Sequence, residues 1–476
     1  MYAVNPAKAV VEVVDAHKKS DVYQIAVDAD EYDHQRNVTI TNYEKTMKTL
    51  TGAEIPDPFA ANYKLPCNMF RRLNTQRVEY SLGSGVSFDK KDVKDKLGKQ
   101  ADKRIKDLAY AACIHGVAFG FWNLDKLHVF KLPEFAPLYD ETTGALRAGV
   151  RFWQLGETAD KNPLNVWLYA EDGITKFIKN YNSDKAEMLN EKPEPYVGIV
   201  KRSLADGETI IDGENYSSLP IVPMWGSELK QSTLVGMRQG IDSYDLIRSG
   251  LANDLTDAAY IYWLVTNAGG MDDYDKAKLL QELRTKHMGV ADGGAQTEGG
   301  ESNKASITAF TQDVPHEART AYLDRIKAGL YEDFGGLDVH TIAAGSTNDH
   351  IDAAYQPLDE NADDFEYQII EFVQNVLALQ NVDEDDATPI FKRNRISNQT
   401  EQTAMVLAAG AYLDEETIIK HLPWISVDEF EDIMKRKKDE DVARYRAQEE
   451  ELAMLREEAQ RQEQTQDQTG TPPMEE

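Results

Sequence analysis

Cysteine is nearly absent from this 476-residue chain, which has only Cys67 and Cys113. The two lie far apart and lack CxxC spacing, which excludes a small disulfide-stapled scaffold and a zinc site built on paired cysteines. One disulfide between them is an open alternative. The preferred interpretation is two buried free thiols in a reducing compartment.

Positive charge is also scarce, because 52 Lys and Arg face 82 Asp and Glu, for a net charge of −30. This balance disfavours tight wrapping of nucleic acid and binding to an anionic membrane surface. No uncharged apolar run approaches the roughly 20 residues that span a bilayer. The first residues show an early polar break and no signal-peptide cleavage pattern. We therefore expect a soluble protein, made in the cytoplasm, with no membrane partner.

Catalytic signatures are missing as well. The sequence has no GxxxxGK[ST] and no GxSxG, and Gly83-Ser84-Gly85 lacks the third glycine of a dinucleotide fingerprint. The acidic runs at 272–275, 363–364 and 383–386 are interpreted as solvated faces and helix N-termini, not as a two-metal nuclease site. We expect no catalytic residue, no metal and no cofactor, and hence no enzyme.

What is present predicts an α+β protein with more than one structural region, since its length exceeds that of a single core. The first hundred residues are predicted mainly helical, with a strand at 78–88, followed by a helix at 102–114. Alternating aromatic and β-branched residues with turn signals predict an antiparallel β region from 116 to 224.

The second half predicts two helices around an inserted module. Apolar residues at three- and four-residue steps predict a helix after Gly226, and a second helix follows at 316–334, stopped by Gly335-Gly336. Between them, 269–311 holds a short helix (273–285) and two strand-like pieces, KHMGVA and SITAFT. This layout predicts a stalk with a small head.

Beyond Gly336 the pattern changes twice. Residues 337–357 lack a sustained period and are predicted to be a loop. A seam with alternating steps of four and three then predicts a long packing helix, carried by Leu358, Ala362, Phe365, Ile369, Phe372, Val376 and Leu379. Capping boxes at Asn398 and Ser426 predict two C-terminal helices, and the Gln-rich end is predicted to be disordered.

Several segments resemble, in consistent order, the SPP1-type phage portal family. They are NYKLPCNMFRRLNTQRVEYSLGSGVSF, the β-rich pair PEFAPLYDETTGALRAGVRFW and VWLYAEDGITKF, then LPIVPMWGSELKQSTLVGMRQGIDSYDLIRSGLANDLTDAA, and LAAGAYLDEETIIKHLPWISVDEFEDIMKRKKDE. The long segment that begins with LPIVP is the third of these matches. Within the third, Ile241-Asp242-Ser243-Tyr244 and Asn253-Asp254 match the family's "IDAYN…SD..ND" pattern. Residues 348–354 depart from the family's Ser-Gly-x-Ala-Leu turn.

The resemblance implies the portal fold and its parts. They are a wing with an antiparallel β region (1–225), a wing-to-stem helix (226–268), a clip (269–312), a second stem helix (313–336), a tunnel loop (337–357), a long wing helix with its return (358–396), crown helices (397–460) and a disordered tail (461–476).

The resemblance also implies a function: a ring, typically of twelve subunits, at one capsid vertex of the virion, through which DNA is packaged and ejected. Its implied partners are other copies of the chain, the terminase large subunit, a head-completion or adaptor protein, major capsid and scaffolding proteins, and double-stranded DNA without sequence specificity. A predominantly acidic lumen would keep the duplex mobile.

Three groups of candidate residues follow. The tunnel loop would meet DNA through His340, Thr341, Ser346, Thr347, Asn348, Asp349 and His350. The clip would meet partners through Leu279, Leu280, Leu283 and Phe310. The long helix would pack on a neighbouring subunit through Phe365, Ile369, Phe372 and Val376. The alternatives are another phage structural protein, such as a scaffold or adaptor, and a metal-dependent nuclease.

Overall fold

A computed structural model of the chain shows helices together with antiparallel sheets, which confirms the α+β class. It describes residues 6–48, 52–57, 60–88, 90–154, 162–180, 183, 185–190, 192–202, 209–258, 262–266, 272–286, 306–310, 315–340, 347–383, 386–395, 399–420, 433–440, 442–448, 450, 452–454 and 456. The chain divides into two units. The first is Met1–Asp338 with Tyr355–Asn394, and the second is Val339–Ala354 with Arg395–Glu476.

The helices before residue 120 are α1 (Pro6–Lys18), α2 (Asp21–Asp33), α3 (Val38–Thr41), α4 (Met69–Leu82), α5 (Lys91–Lys96) and α6 (Ala101–His115). The strand predicted at 78–88 is therefore wrong for 78–82, where α4 continues, and only Val86–Ser87 is extended. Val78 and Leu82 are four residues apart, and both are buried in one core. That spacing satisfies a helix as well as the alternation of a strand.

The predicted antiparallel β region is confirmed. A 5-stranded sheet joins β10 (Glu187–Met188), β9 (Gly173–Lys179), β8 (Leu164–Ala170), β7 (Leu146–Gln154) and β6 (Phe135–Tyr139). A 3-stranded sheet joins β13 (Ile221–Trp225), β4 (Val117–Asn123) and β5 (Lys126–Lys131). Two-stranded sheets pair β1 (Thr46–Lys48) with β2 (Glu54–Pro56), β11 (Val197–Arg202) with β12 (Thr209–Glu214), and β16 (Ile390–Phe391) with β3 (Val86–Ser87).

The remaining elements follow the β region. They are α7 (Leu234–Ala258), β14 (Tyr262–Thr266), α8 (Asp273–Lys286), β15 (Ser306–Phe310), α9 (His316–Phe334), α10 (Asn348–Ala378), α11 (Gln399–Ala408) and α12 (Glu415–Lys420). A helix begins at Gln399, next to the predicted start, whereas the predicted capping residues Asn398 and Ser426 lie outside the described residues. Within the second unit, residues 433–440 and 442–448 are also helical.

The largest core of the first unit forms around α10. The buried edge of α10 packs with side chains of α4, α5, α6 and the 3-stranded sheet. Gly120 of β4 is required by this packing, because a Cβ there would lie 2.6 Å from Cζ of Phe372.

This core corrects one prediction. Phe365 and Ile369 are 0% exposed, and Phe372 and Val376 are 1% exposed, all within a single chain. These side chains have no surface left for a neighbouring subunit, so their predicted role in packing between subunits is wrong. The amphipathic seam was interpreted correctly, but the first unit of the same chain supplies enough apolar surface to bury it.

The packing helix also begins earlier than predicted. It starts at Asn348, not at Leu358, and contains Pro357. The loop prediction is therefore wrong for 348–357. The loop was predicted because the stretch lacks a sustained apolar period, and the helix tolerates Pro357 because this residue lies on the exposed side of α10. There, water can satisfy the backbone carbonyl that proline leaves without its helical donor.

Candidate functional site: a two-helix stalk and its mount

The stalk consists of α7 and α9, which run antiparallel. Gly240 of α7 lies against Leu330 of α9, and further along Asp254 of α7 forms an ion pair with Arg319 of α9. A Cβ at position 240 would lie 2.7 Å from Cδ2 of Leu330, so glycine sets the close approach of the two helices. Gly335, at φ 66°, ends α9 in the left-handed conformation, as predicted.

The module between the two helices differs from the prediction. The helix expected to continue to residue 268 ends at Ala258, and Tyr262–Thr266 forms β14, paired antiparallel with β15. Tyr262 fitted the helical spacing, but the run YWLVT is aromatic and β-branched and finds a partner strand distant in sequence. The SITAFT strand and the short helix are confirmed, while KHMGVA lies outside the described residues.

A row of polar side chains on α7 fixes an extended segment, residues 60–68, which we call the strap. Backbone N–H groups of alternate strap residues donate to α7 side chains every fourth residue. The bonds join Cys67 to Asp245, Leu65 to Ser249 and Tyr63 to Asn253, at 2.8, 3.0 and 2.7 Å. Two extended residues span roughly 6.6 Å and four helical residues about 6 Å, so the two repeats stay in step.

A second set of bonds holds the start of α3 to the same helix. Asn37 donates to the Asp245 carboxylate and to the carbonyl of Cys67, the latter at 3.2 Å. Asp242 accepts from the hydroxyl of Thr39 at 2.7 Å and from the hydroxyl of Tyr32. The segment between α3 and α4, which carries β1 and β2, is thus fastened to the stalk at both ends. We call these contacts the mount.

The part of the mount around Asp245 and Cys67 is buried, and burial perturbs the ionisable groups there. Burial raises the pKa of Asp245, while hydrogen bonds from Asn37 and Cys67 oppose that rise. Burial, assisted by the Asp245 charge, raises the pKa of Cys67 to about 12. Burial raises the pKa of Cys113 to about 11. Both cysteines are buried free thiols, as preferred from the sequence, and such pKa values keep them protonated and unreactive.

Sequence reasoning named part of this site and missed its role. The matched segments around Asp242 and Asn253 were used only to support the resemblance. The available signal was the spacing of Asp242, Asp245, Ser249 and Asn253, which places four polar side chains along one face of the helix. Asp245 is 0% exposed, whereas Leu255, an apolar residue of the same helix, is 55% exposed.

The predicted tunnel-loop residues are only partly described. His340 is exposed in a helical turn at 339–340, and Thr347 is exposed just before α10. Asn348, Asp349 and His350 are not in a loop, because they form the first turn of α10. Thr341 and Ser346 lie outside the described residues. The structure therefore does not bring the predicted set together in one loop.

The predicted clip residues lie on α8 and β15. Leu279 is buried, at 6% exposure, so it does not present an open surface for a partner as predicted. The side chains of Leu280, Leu283 and Phe310 lie outside the described residues. The backbone of Phe310 pairs with Tyr262 in the two-stranded sheet.

The acidic runs serve structural contacts. The Asp272 carboxylate accepts the backbone N–H of Asp275 at 2.8 Å, at the start of α8. Asp363 forms an ion pair with Arg393, and Asp386 pairs with Lys90 at 2.7 Å. In the described part of the chain, no group of three His, Cys, Asp or Glu side chains is arranged to hold a metal ion. Within the same residues, no helix has the length and apolar character to cross a membrane.

Comparison with known proteins extends the resemblance over nearly the whole chain. Residues 12–464 match the family "Phage portal protein, SPP1 Gp6-like". The portal protein of Clostridium phage phiCD119 is 23% identical over 394 residues, covering 77% of this chain and 82% of the relative. The portal protein of Bacillus phage SPP1 is 22% identical over 429 residues, covering 82% and 79%.

Solved structures show a more distant likeness. A chain in the neck of a native gene transfer agent particle computed with C12 symmetry gives a TM-score of 0.38 at 11% identity, covering 75% of this chain and 90% of that chain. A chain in the virion of the native gene transfer agent particle gives 0.39 at 12% identity, covering 73% and 88%. The match over residues 12–464 settles the family: this chain belongs to the SPP1 Gp6-like phage portal proteins, a structural family of phage particles.

Proposed function

We propose that the chain is the subunit of a portal ring at one capsid vertex, the channel for DNA packaging and ejection. Its partners would be other copies of itself, the terminase large subunit, a head-completion or adaptor protein, and major capsid and scaffolding proteins. Double-stranded DNA would pass without sequence specificity. The observation that carries the proposal is the family match over residues 12–464, which includes stalk, head and mount.

The described elements fit the parts of such a ring. The sheets, the N-terminal helices and the 355–378 portion of α10 would form the wing, with α7 and α9 as the stem. The module containing β14, α8 and β15 would be the clip, and α11, α12 and the helical residues after 432 the crown. The tunnel loop then shortens to about 337–347, because α10 begins at Asn348.

Two properties of the chain support a channel-forming assembly. Leu255 on α7 and Tyr322 on α9 are 55% and 48% exposed, so the stalk offers apolar surface that a neighbouring stalk would cover. The net charge of −30 would keep DNA from adhering, since each bound phosphate adds affinity through counterion release.

The loop assignment is tested by deleting residues 344–348 and packaging DNA into capsids in vitro. We expect rings and capsids to assemble, with packaging or retention of the genome impaired. Removal of residues 472–476, a deletion of equal length, is the control and should package normally. Full-length packaging and retention by the 344–348 deletion would show that this segment does not meet the DNA.

The absence of enzymatic activity is part of the proposal and is tested separately. Purified protein is incubated with DNA while Mg²⁺ or Mn²⁺ is titrated. We expect the DNA to stay intact at every metal concentration. Metal-dependent cleavage that copurifies with the protein would favour the nuclease alternative.

A further inference from the structure

Charge is distributed very unevenly along the chain. Residues 328–391 contain 15 Asp and Glu and no Lys or Arg, which amounts to half of the net charge of −30. Residues 89–106, in contrast, contain 8 Lys and Arg against 4 Asp. A chain this acidic that also concentrates cations in one short segment has two surfaces of opposite sign.

The acidic surface is a stripe along α10. Glu360, Asp363, Tyr367 and Glu371 are exposed at steps of three and four, on the side opposite the buried edge. Tyr367 is 69% exposed in the middle of the stripe. Among the described residues, no Lys or Arg forms an ion pair with Glu360 or Glu371. Asp363, between them, pairs with Arg393. An exposed aromatic ring flanked by two carboxylates that lack a described Lys or Arg partner is a surface suited to contact with a basic partner.

The basic surface is a patch where α5 meets α6, formed by Lys96, Lys99 and Lys103, all exposed. Its backbone is held firmly. Leu97 is buried, and the N–H of Lys99 donates to the carbonyl of Asp125 at 3.0 Å. In the described structure, Lys99 has a loose ion pair with Asp125 at 3.7 Å, while its side chain remains 81% exposed. The patch is therefore presented on a fixed framework.

Within one chain, Lys90 of the basic segment pairs with Asp386 of the acidic segment, but no described ion pair joins the patch to the stripe. We propose that the basic patch of one copy of this chain docks on the acidic stripe of the next copy. The inference rests on the proposed ring, in which every subunit uses two different surfaces, one toward each neighbour. Copies that each carry −30 repel one another, and complementary charge at the contact offsets that repulsion.

The test is a reciprocal charge swap, read as the fraction of rings by native mass measurement at low salt. We expect Lys96→Glu with Lys103→Glu, and separately Glu360→Lys with Glu371→Lys, to raise the protein concentration for half-assembly by about tenfold or more. A chain carrying all four changes restores both surfaces with inverted sign and should recover rings. Lys19→Glu with Lys185→Glu, two exposed lysines elsewhere, is the matched control and should assemble normally.

Several outcomes overturn the contact. Normal assembly of both double variants, or no recovery in the fourfold variant, would do so. If the lysine variant forms normal rings but loses DNA packaging, the patch meets DNA instead of a neighbouring copy. A wild type that stays monomeric contradicts the proposed function itself, which keeps that failure distinct. Circular dichroism on every variant confirms that an assembly defect is not a folding defect.

Discussion

Removing the Asp245 carboxylate should release the strap without unfolding the chain. In Asp245→Ala, the backbone N–H of Cys67 and the side-chain amide of Asn37 both lose a buried acceptor. Each unsatisfied buried donor costs about 1–3 kcal/mol. The change also removes a carboxylate whose raised pKa shows that burial disfavours its charge, which offsets part of that cost. We expect the strap to lose about 2–3 kcal/mol of local stability.

The two cysteines of the chain form a built-in assay for this loss. Cys67 lies in the strap, whereas Cys113 is 0% exposed in α6, so only Cys67 is uncovered when the strap opens. A loss of 2–3 kcal/mol raises the open population about 30- to 150-fold. The rate of Cys67 modification by a thiol reagent under native conditions should rise by that factor, while Cys113 stays protected. Asp245→Asn, which can still accept one hydrogen bond, should give an intermediate rate.

Two results would refute this reasoning. Equal acceleration at Cys67 and Cys113 would mean that the variant opens globally, so the mount is not a local unit. An unchanged Cys67 rate in Asp245→Ala would mean that the hydrogen bonds to α7 do not hold the strap. Peptide mapping by mass spectrometry distinguishes the two cysteines directly.

Three further predictions concern packing, charge and pH. In urea titrations, Gly240→Val should lower the unfolding free energy by about 1–3 kcal/mol, because the new side chain meets Leu330. Gly250 has open space around it, so Gly250→Ala should leave the unfolding free energy unchanged or raise it by up to about 1 kcal/mol. Arg393→Met should lower the free energy of unfolding by about 1–3 kcal/mol, because Asp359, Asp363 and Glu366 lose a shared partner. Arg393→Lys keeps the charge but not the planar fork, so it should restore only part of that stability. Burial lowers the pKa of His17, so the unfolded chain binds more protons, and stability falls as the pH drops below about 6.5. When the pH is lowered from 7.5 to 5.5, His17→Gln should lose less unfolding free energy than the wild type. Equal losses would mean that protonation of His17 does not destabilise the folded chain.

The local sequence pattern was sufficient to predict an element where burial of apolar side chains alone determines it. The alternation over 116–224 predicted the sheets, and the seam from Leu358 predicted the helix whose edge fills the main core. The local pattern predicted the wrong element where contacts with residues distant in sequence determine the secondary structure. Residues 262–266 fit a helix by spacing, but they pair with 306–310, far away in sequence. Residues 78–82 alternate like a strand, but their apolar pair also fits one face of α4.

The mount shows a different limit of sequence reasoning. A buried aspartate on a helix is costly unless donors reach it, and these donors come from residues about 180 to 210 positions away. Composition and periodicity carry no signal for a backbone N–H as the partner. The seam residues Phe365 to Val376 show the opposite error, because an apolar face was assigned to a neighbour although the same chain covers it.

The most direct test of the central claim is electron microscopy of the purified protein, combined with native mass measurement. The account predicts closed rings with a central opening and a mass that is a fixed multiple of the 53.6 kDa subunit. Only monomers, at every protein and salt concentration tried, would contradict it.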